Sequence, residues 1–175
     1  LRPTPGQASV LALPIVAFGV VTALVLTVLG GAQSFWAWTD VEAPIYHILA
    51  AIALSLLLVP LMTLGGAAAR LSARRRDERL STLRLLGVSP AGVVVATVIE
   101  SALVAALGAV AGVVGYLALV PAVGLIPFRG EALGASAILL SPLTIIGVVG
   151  GVIALAAGSA AIGLRRVVIS PLGVR

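Results

Sequence analysis

Four long apolar runs, separated by shorter polar stretches, divide the chain. They extend from about Ala8 to Ala32, Pro44 to Ala69, Pro90 to Val120 and Ala137 to Leu164. Each exceeds the roughly 20 apolar residues that an α-helix needs to cross ~30 Å of hydrocarbon. None shows the alternation, over about ten residues, of a membrane β-strand. In lipid a single segment satisfies its own backbone groups only as a helix. The pattern predicts an all-α integral membrane protein: residues 1–175 form one unit, a four-transmembrane-helix bundle. Pro14 and Pro60 lie inside the first two runs, where a proline is expected to kink a helix.

Composition supports this solvent assignment. The 175 residues are 61% hydrophobic and only 10% charged, too few charges to cover a water-soluble core. The chain has no cysteine, so disulfides and thiolate metal sites are excluded. It starts at Leu1 rather than Met, as a fragment of something longer would.

The net charge of +5 does not point to nucleic acid, because the basic residues are not spread over a face. All eleven are arginine. Ten of the eleven lie near the N-terminus, in the central stretch Arg70–Arg84, or in the last eleven residues, Arg165–Arg175. Four crossings place those three regions on one side of the membrane. The opposite loops, 33–43 and 121–136, hold Arg129 with the acids Asp40, Glu42 and Glu131. By the positive-inside rule both termini and the central loop are cytoplasmic, in a multi-pass protein of the cell membrane. Trp36, Trp38 and Tyr46 then fall at the outer interface, where amphipathic rings concentrate.

Candidate chemistry is sparse. His47 stands alone at the outer end of the second run, far from Ser101 near the cytoplasmic end of the third, so no serine–base pair is expected. No catalytic residue and no metal site is predicted. A Walker A loop needs a lysine and this sequence has none, so any ATP-driven function would require a separate ATPase subunit. Glu100 is the one acid inside a run, ~15 Å along a helix from Pro90. An ionisable group at that depth is costly and often functional. Three roles stand open for it: pairing with an arginine beyond the second run or with Thr63, coupling, or proton relay. Gly108 and Gly112 form a GxxxG in the third run, with Gly115 beside them, and Gly147 and Gly151 form another in the fourth. This spacing lets helix backbones approach closely.

The central arginine cluster has internal order. Across Asp77–Gly87, Leu80, Leu83 and Leu86 recur at the spacing of one helical face, with Asp77, Ser81 and Arg84 opposite. Asp77 and Glu78 suit a first turn, Gly87 suits a C-terminal stop, and Ser89 can cap a helix beginning at Pro90. The segment is predicted to be a short amphipathic helix at the membrane surface, docked on lipid or on a protein.

The stretch "RRRDERLSTLRLLGVSP", with the helix "VIESALVAALGAVAGVVGYLAL" that follows, resembles the FtsX-like permease domain of ABC transporters. Leu83, Arg84, Leu86 and Gly87 match its leucine-arginine-x-leucine-glycine signature. Glu100 matches its helix glutamate, Gly108, Gly112 and Gly115 its glycine series, and "LRRVVISPLGVR" its basic tail. The family's usual glutamate five residues before the signature arginine is here Arg79. The large extracellular domain that many members carry between the first two spans is reduced to residues 33–43.

The resemblance implies an ABC permease subunit that couples ATP hydrolysis in a separate ATPase subunit to substrate movement or transmembrane signalling. Asp77, Glu78, Arg79, Leu80, Leu83, Arg84, Leu86 and Gly87 would form the cytoplasmic coupling helix that meets that ATPase. ATP would be bound by the partner and no cofactor by this chain. A second permease half, or a homologous subunit, would complete the transporter, with membrane lipid around it and no nucleic acid. The competing expectations are a small proton- or ion-coupled transporter using Glu100, or a structural membrane subunit without transport.

Overall fold

The computed structural model describes residues 5–60, 62–63, 90–128 and 130–168. Four of its helices are long and apolar enough to span a membrane. Helix α1 covers Pro5–Trp36, α2 begins at Ala43 and includes Ala43–Pro60, α3 covers Pro90–Gly124, and α5 covers Pro142–Val168. Between α3 and α5 lie a two-stranded hairpin, β1 (Pro127–Phe128) and β2 (Glu131–Ala132), and a one-turn helix, α4 (Ala135–Ile138). The strands pair antiparallel, Pro127 opposite Ala132 and Phe128 opposite Glu131. The segment 77–87 lies outside the described residues.

Helix α3 is the centre of the bundle. It packs most extensively on α1, then on α5, and the short α4 touches both α1 and α3. Within the spanning segments, 39% of α1 and of α3 is buried, against 11% for α2 and 17% for α5. The exposed side chains of all four are largely leucine, isoleucine and valine, as befits surfaces solvated by lipid. One buried cluster joins Phe18 of α1 to Val104, Ala105 and Ala109 of α3 and to Val152 and Ala156 of α5. A second, nearer the hairpin, gathers Leu26, Tyr116, Val120, Ile138 and Leu140.

The fourth helix starts later than its hydropathy predicts. The apolar run begins near Ala137, yet α5 begins at Pro142 and the chain is non-helical over residues 139–141. Two local causes explain the break. Proline has no N–H to give to a preceding turn and disfavours α geometry in the residue before it. Ser141 then caps the new helix: its Oγ accepts the Thr144 N–H at 3.2 Å and lies 2.9 Å from the Thr144 hydroxyl.

The break is buried at Ile138 and Leu140, and Tyr116 satisfies the backbone there. The Tyr116 hydroxyl donates to the Ile138 carbonyl and accepts the Leu140 N–H, both at 2.8 Å. Irregular backbone at this depth is tolerable only where protein supplies its hydrogen bonds. Glycines let α4 sit this deep. A Cβ on Gly30 would collide with the Ile138 carbonyl, and one on Gly124 would lie 2.7 Å from the Ala135 nitrogen. Gly134, at φ 83°, turns the chain into α4 while its N–H bonds the Gly124 carbonyl at 3.0 Å.

Candidate functional site

The glycine seam of α3 is a helix crossing. A Cβ on Gly108 would lie 2.6 Å from the Phe18 Cβ and 2.7 Å from the Ile15 carbonyl oxygen. One on Gly112 would lie 2.6 Å from both the Gly19 carbonyl oxygen and the Thr22 Cβ. Both glycines are buried, and the obstacles include backbone, which cannot swing aside. Gly115 is looser, with the Ala23 Cβ 3.5 Å from its hypothetical Cβ. The facing residues on α1 are Gly19 and Ala23, a small pair at i, i+4 that the sequence reading passed over. Their spacing carried the same signal as the GxxxG opposite.

The same spacing on α5 has a different environment. Gly147 and Gly151 are exposed, and a Cβ on either would meet nothing within 4 Å among the described residues. Gly151 does border an apolar cavity of about 210 Å³ between α1, α2 and α5, walled by Phe18, Val25, Leu58, Met62 and Val152.

Glu100 lies on an exposed part of α3, in the row that includes Ile99 and Leu103 and outside both buried clusters. Thr63, one of its expected partners, donates its hydroxyl hydrogen to the Pro60 carbonyl at 2.7 Å instead. The arginines of 70–84, the other expected partners, lie outside the described residues, as do all eight predicted coupling residues. Next to Glu100, Thr97 and Ser101 are buried, so the polar side chains of this region divide between the interior and the surface. Among the described residues no group of three or more His, Cys, Asp or Glu side chains is placed to hold a metal.

The hairpin end carries an aromatic cluster made from four separate parts of the chain. Phe35 lies in the last turn of α1, Trp38 sits in the following loop, Tyr46 lies in the first turn of α2 and Phe128 belongs to β1. The Trp38 ring stands 5.2 Å from Phe35, 5.0 Å from Tyr46 and 5.8 Å from Phe128, centroid to centroid. Phe128 also lies 5.0 Å from Phe35 and 5.8 Å from Tyr46. His47 Nε2 donates to the Trp38 carbonyl at 3.2 Å and so helps fix the α1–α2 loop. Trp36, predicted at the same interface, is half exposed beside the cluster. Phe35 and Phe128 complete the cluster, and hydropathy alone gave no sign that the two loops meet.

Beneath these rings is a hollow of about 410 Å³, bordered by Ser34, Trp38, Phe128, Glu131, Leu133 and Ala137. Ser34 is buried and donates its hydroxyl to the Gly31 carbonyl at 2.7 Å. Glu131 is the one charged side chain among the described residues lining the hollow.

Compared with protein families, residues 66–172 match the FtsX-like permease C-terminal model. No curated protein and no solved structure matches the chain. The matched stretch contains α3, the hairpin, α4 and α5, together with the segment 77–87, and it leaves α1 and the described residues of α2 outside.

Proposed function

Since the chain belongs to the FtsX-like permease family, whose members are generally non-enzymatic membrane subunits in an ABC transporter setting, we propose that it is the transmembrane half of an ATP-driven machine. The observation that carries this reading is the family match across 66–172 in a chain with four spanning helices. A separate ATPase subunit binds and hydrolyses ATP, and this chain needs no cofactor of its own. Both termini and the 70–89 loop face the cytoplasm of the cell membrane, and the hairpin end faces outward.

The architecture suits transmission. Helix α3 is 35 residues long, roughly 50 Å, and it begins directly after the proposed coupling segment. A push delivered at Pro90 by an ATPase enters a helix that packs on α1, α4 and α5 together. The close crossing at Gly108 and Gly112 makes α1 and α3 move as a pair. At the far end, the Tyr116 hydroxyl ties the same motion to the break before α5. The exposed small residues of α5, Gly147 and Gly151, are left for a second permease half to cover.

Purification of the tagged chain from its native membrane tests this. An ATPase subunit should accompany it, and ATP hydrolysis by that pair should respond to reconstitution in lipid. Transport by the purified chain alone, driven by a proton gradient, would instead make it a secondary transporter.

A further inference from the structure

We propose that the hollow at the hairpin end binds an organic ammonium ion, either a small amine or the amine of a lipid headgroup. Its walls have the chemistry for this. Trp38 and Phe128 offer aromatic rings, whose faces attract cations, and Glu131 supplies the countercharge from the strand position directly opposite Phe128. Contacts with Phe35 and Tyr46 hold those rings, so little order has to be gained on binding. Ser34 donates its hydroxyl inward to Gly31, which leaves the oxygen lone pairs as acceptors for an N–H or O–H of the ligand.

Size and position agree with this class. About 410 Å³ falls in the range of small-molecule sites and exceeds what a bare ammonium group needs, so an attached polar body also fits. Ser34 lies two residues from the end of α1, ~3 Å along the axis, which puts the hollow at headgroup depth. The loops around it carry three acids against one arginine, a local field that draws cations. Binding here requires neither an ATPase nor a second permease half, so its failure and the failure of the transport reading are separate outcomes.

Trp36 and Trp38 are the only tryptophans, so Trp36→Phe leaves Trp38 as the sole indole reporter. The purified chain is titrated with choline, with ethanolamine and with choline's uncharged tert-butyl isostere, first in detergent. It is then moved to phosphatidylglycerol nanodiscs with or without phosphatidylethanolamine. A saturable Trp38 response to the free amines but not to the isostere supports a soluble amine. A response only in aminophospholipid discs supports a headgroup. In either case Glu131→Gln should weaken binding roughly three- to tenfold. Glu42→Gln, which removes the same charge from the same face outside the hollow, should change it less than twofold. Arg129→Gln should not weaken binding. An equal response to the isostere, equal losses from Glu131→Gln and Glu42→Gln, dependence on Arg129 instead of Glu131, or no response in any medium would each overturn the assignment.

Discussion

Two buried hydroxyls in this fold should respond to deletion with opposite signs. Tyr116 serves a buried carbonyl and a buried N–H at once, so Tyr116→Phe leaves both without their partner. The expected loss is roughly 2–3 kcal/mol. Thr22 is fully buried against Gly112, and its hydroxyl has no hydrogen-bond partner among the described residues. Thr22→Val keeps the branched shape and removes that group, so it should gain roughly 1 kcal/mol. Thermal unfolding of the two variants in one detergent measures both. A stabilised Tyr116→Phe, or a Thr22→Val less stable than wild type, would contradict the packing described for the α1–α3–α4 corner. Neither role was legible in the sequence. A tyrosine within an apolar run does not show which carbonyl it will reach 22 residues later.

At the scale of the element, hydropathy recovered the four spans because lipid demands long apolar helices wherever the chain crosses. It missed α4 and the hairpin because tertiary contacts define those elements: Gly30, Gly124 and Tyr116 make room for α4 and hold it. The Ser141–Pro142 pair did carry a helix-start signal of the kind read at Ser89–Pro90, but the unbroken apolar run around it hid the stop. Glycine spacing was also only half informative. It fixes which face of its own helix is small and says nothing of what stands opposite. Gly112→Ala should therefore cost about 1–3 kcal/mol of stability in the isolated chain, since backbone blocks the new Cβ. Gly151→Ala should be neutral or gain up to about 1 kcal/mol. Gly151→Leu should leave the isolated chain folded and impair assembly with a second permease half. Full assembly of that variant would place this face against lipid. Glu100, exposed on α3, is proposed to support assembly rather than proton movement. Glu100→Gln should lower assembly or coupled ATP hydrolysis modestly, less than tenfold. Loss of a gradient-driven flux with assembly intact would reverse that view.

For the whole molecule, the arginine distribution fixes the expected orientation, and a chain without cysteines makes it simple to check. A cysteine at Ser72 should resist an impermeant thiol reagent added to intact cells, while one at Thr39 should react. The reverse pattern would invert the topology and move the hairpin-end hollow to the cytoplasmic face. The fold class was legible because composition and four apolar runs sufficed. The hairpin-end hollow was not, because it is assembled from Ser34, Trp38, Phe128 and Glu131, residues separated by up to about a hundred positions that only the folded chain brings together. The central proposal is that an ATPase drives α3 through the segment Asp77–Gly87. Leu80, Leu83 and Leu86 would enter a groove on that partner, in the manner of an amphipathic helix on a receptor, with the flanking charges setting register. A helix docked only on lipid would depend on total positive charge more than on any one leucine. The most direct measurement is therefore ATPase co-purification and permease-stimulated ATP hydrolysis for Leu83→Asp beside Arg75→Gln. Leu83→Asp should insert normally and lose the ATPase together with its stimulation, while Arg75→Gln keeps both. Retention of the partner and of stimulated hydrolysis by Leu83→Asp would contradict the coupling role and leave the arginine cluster as a topology signal.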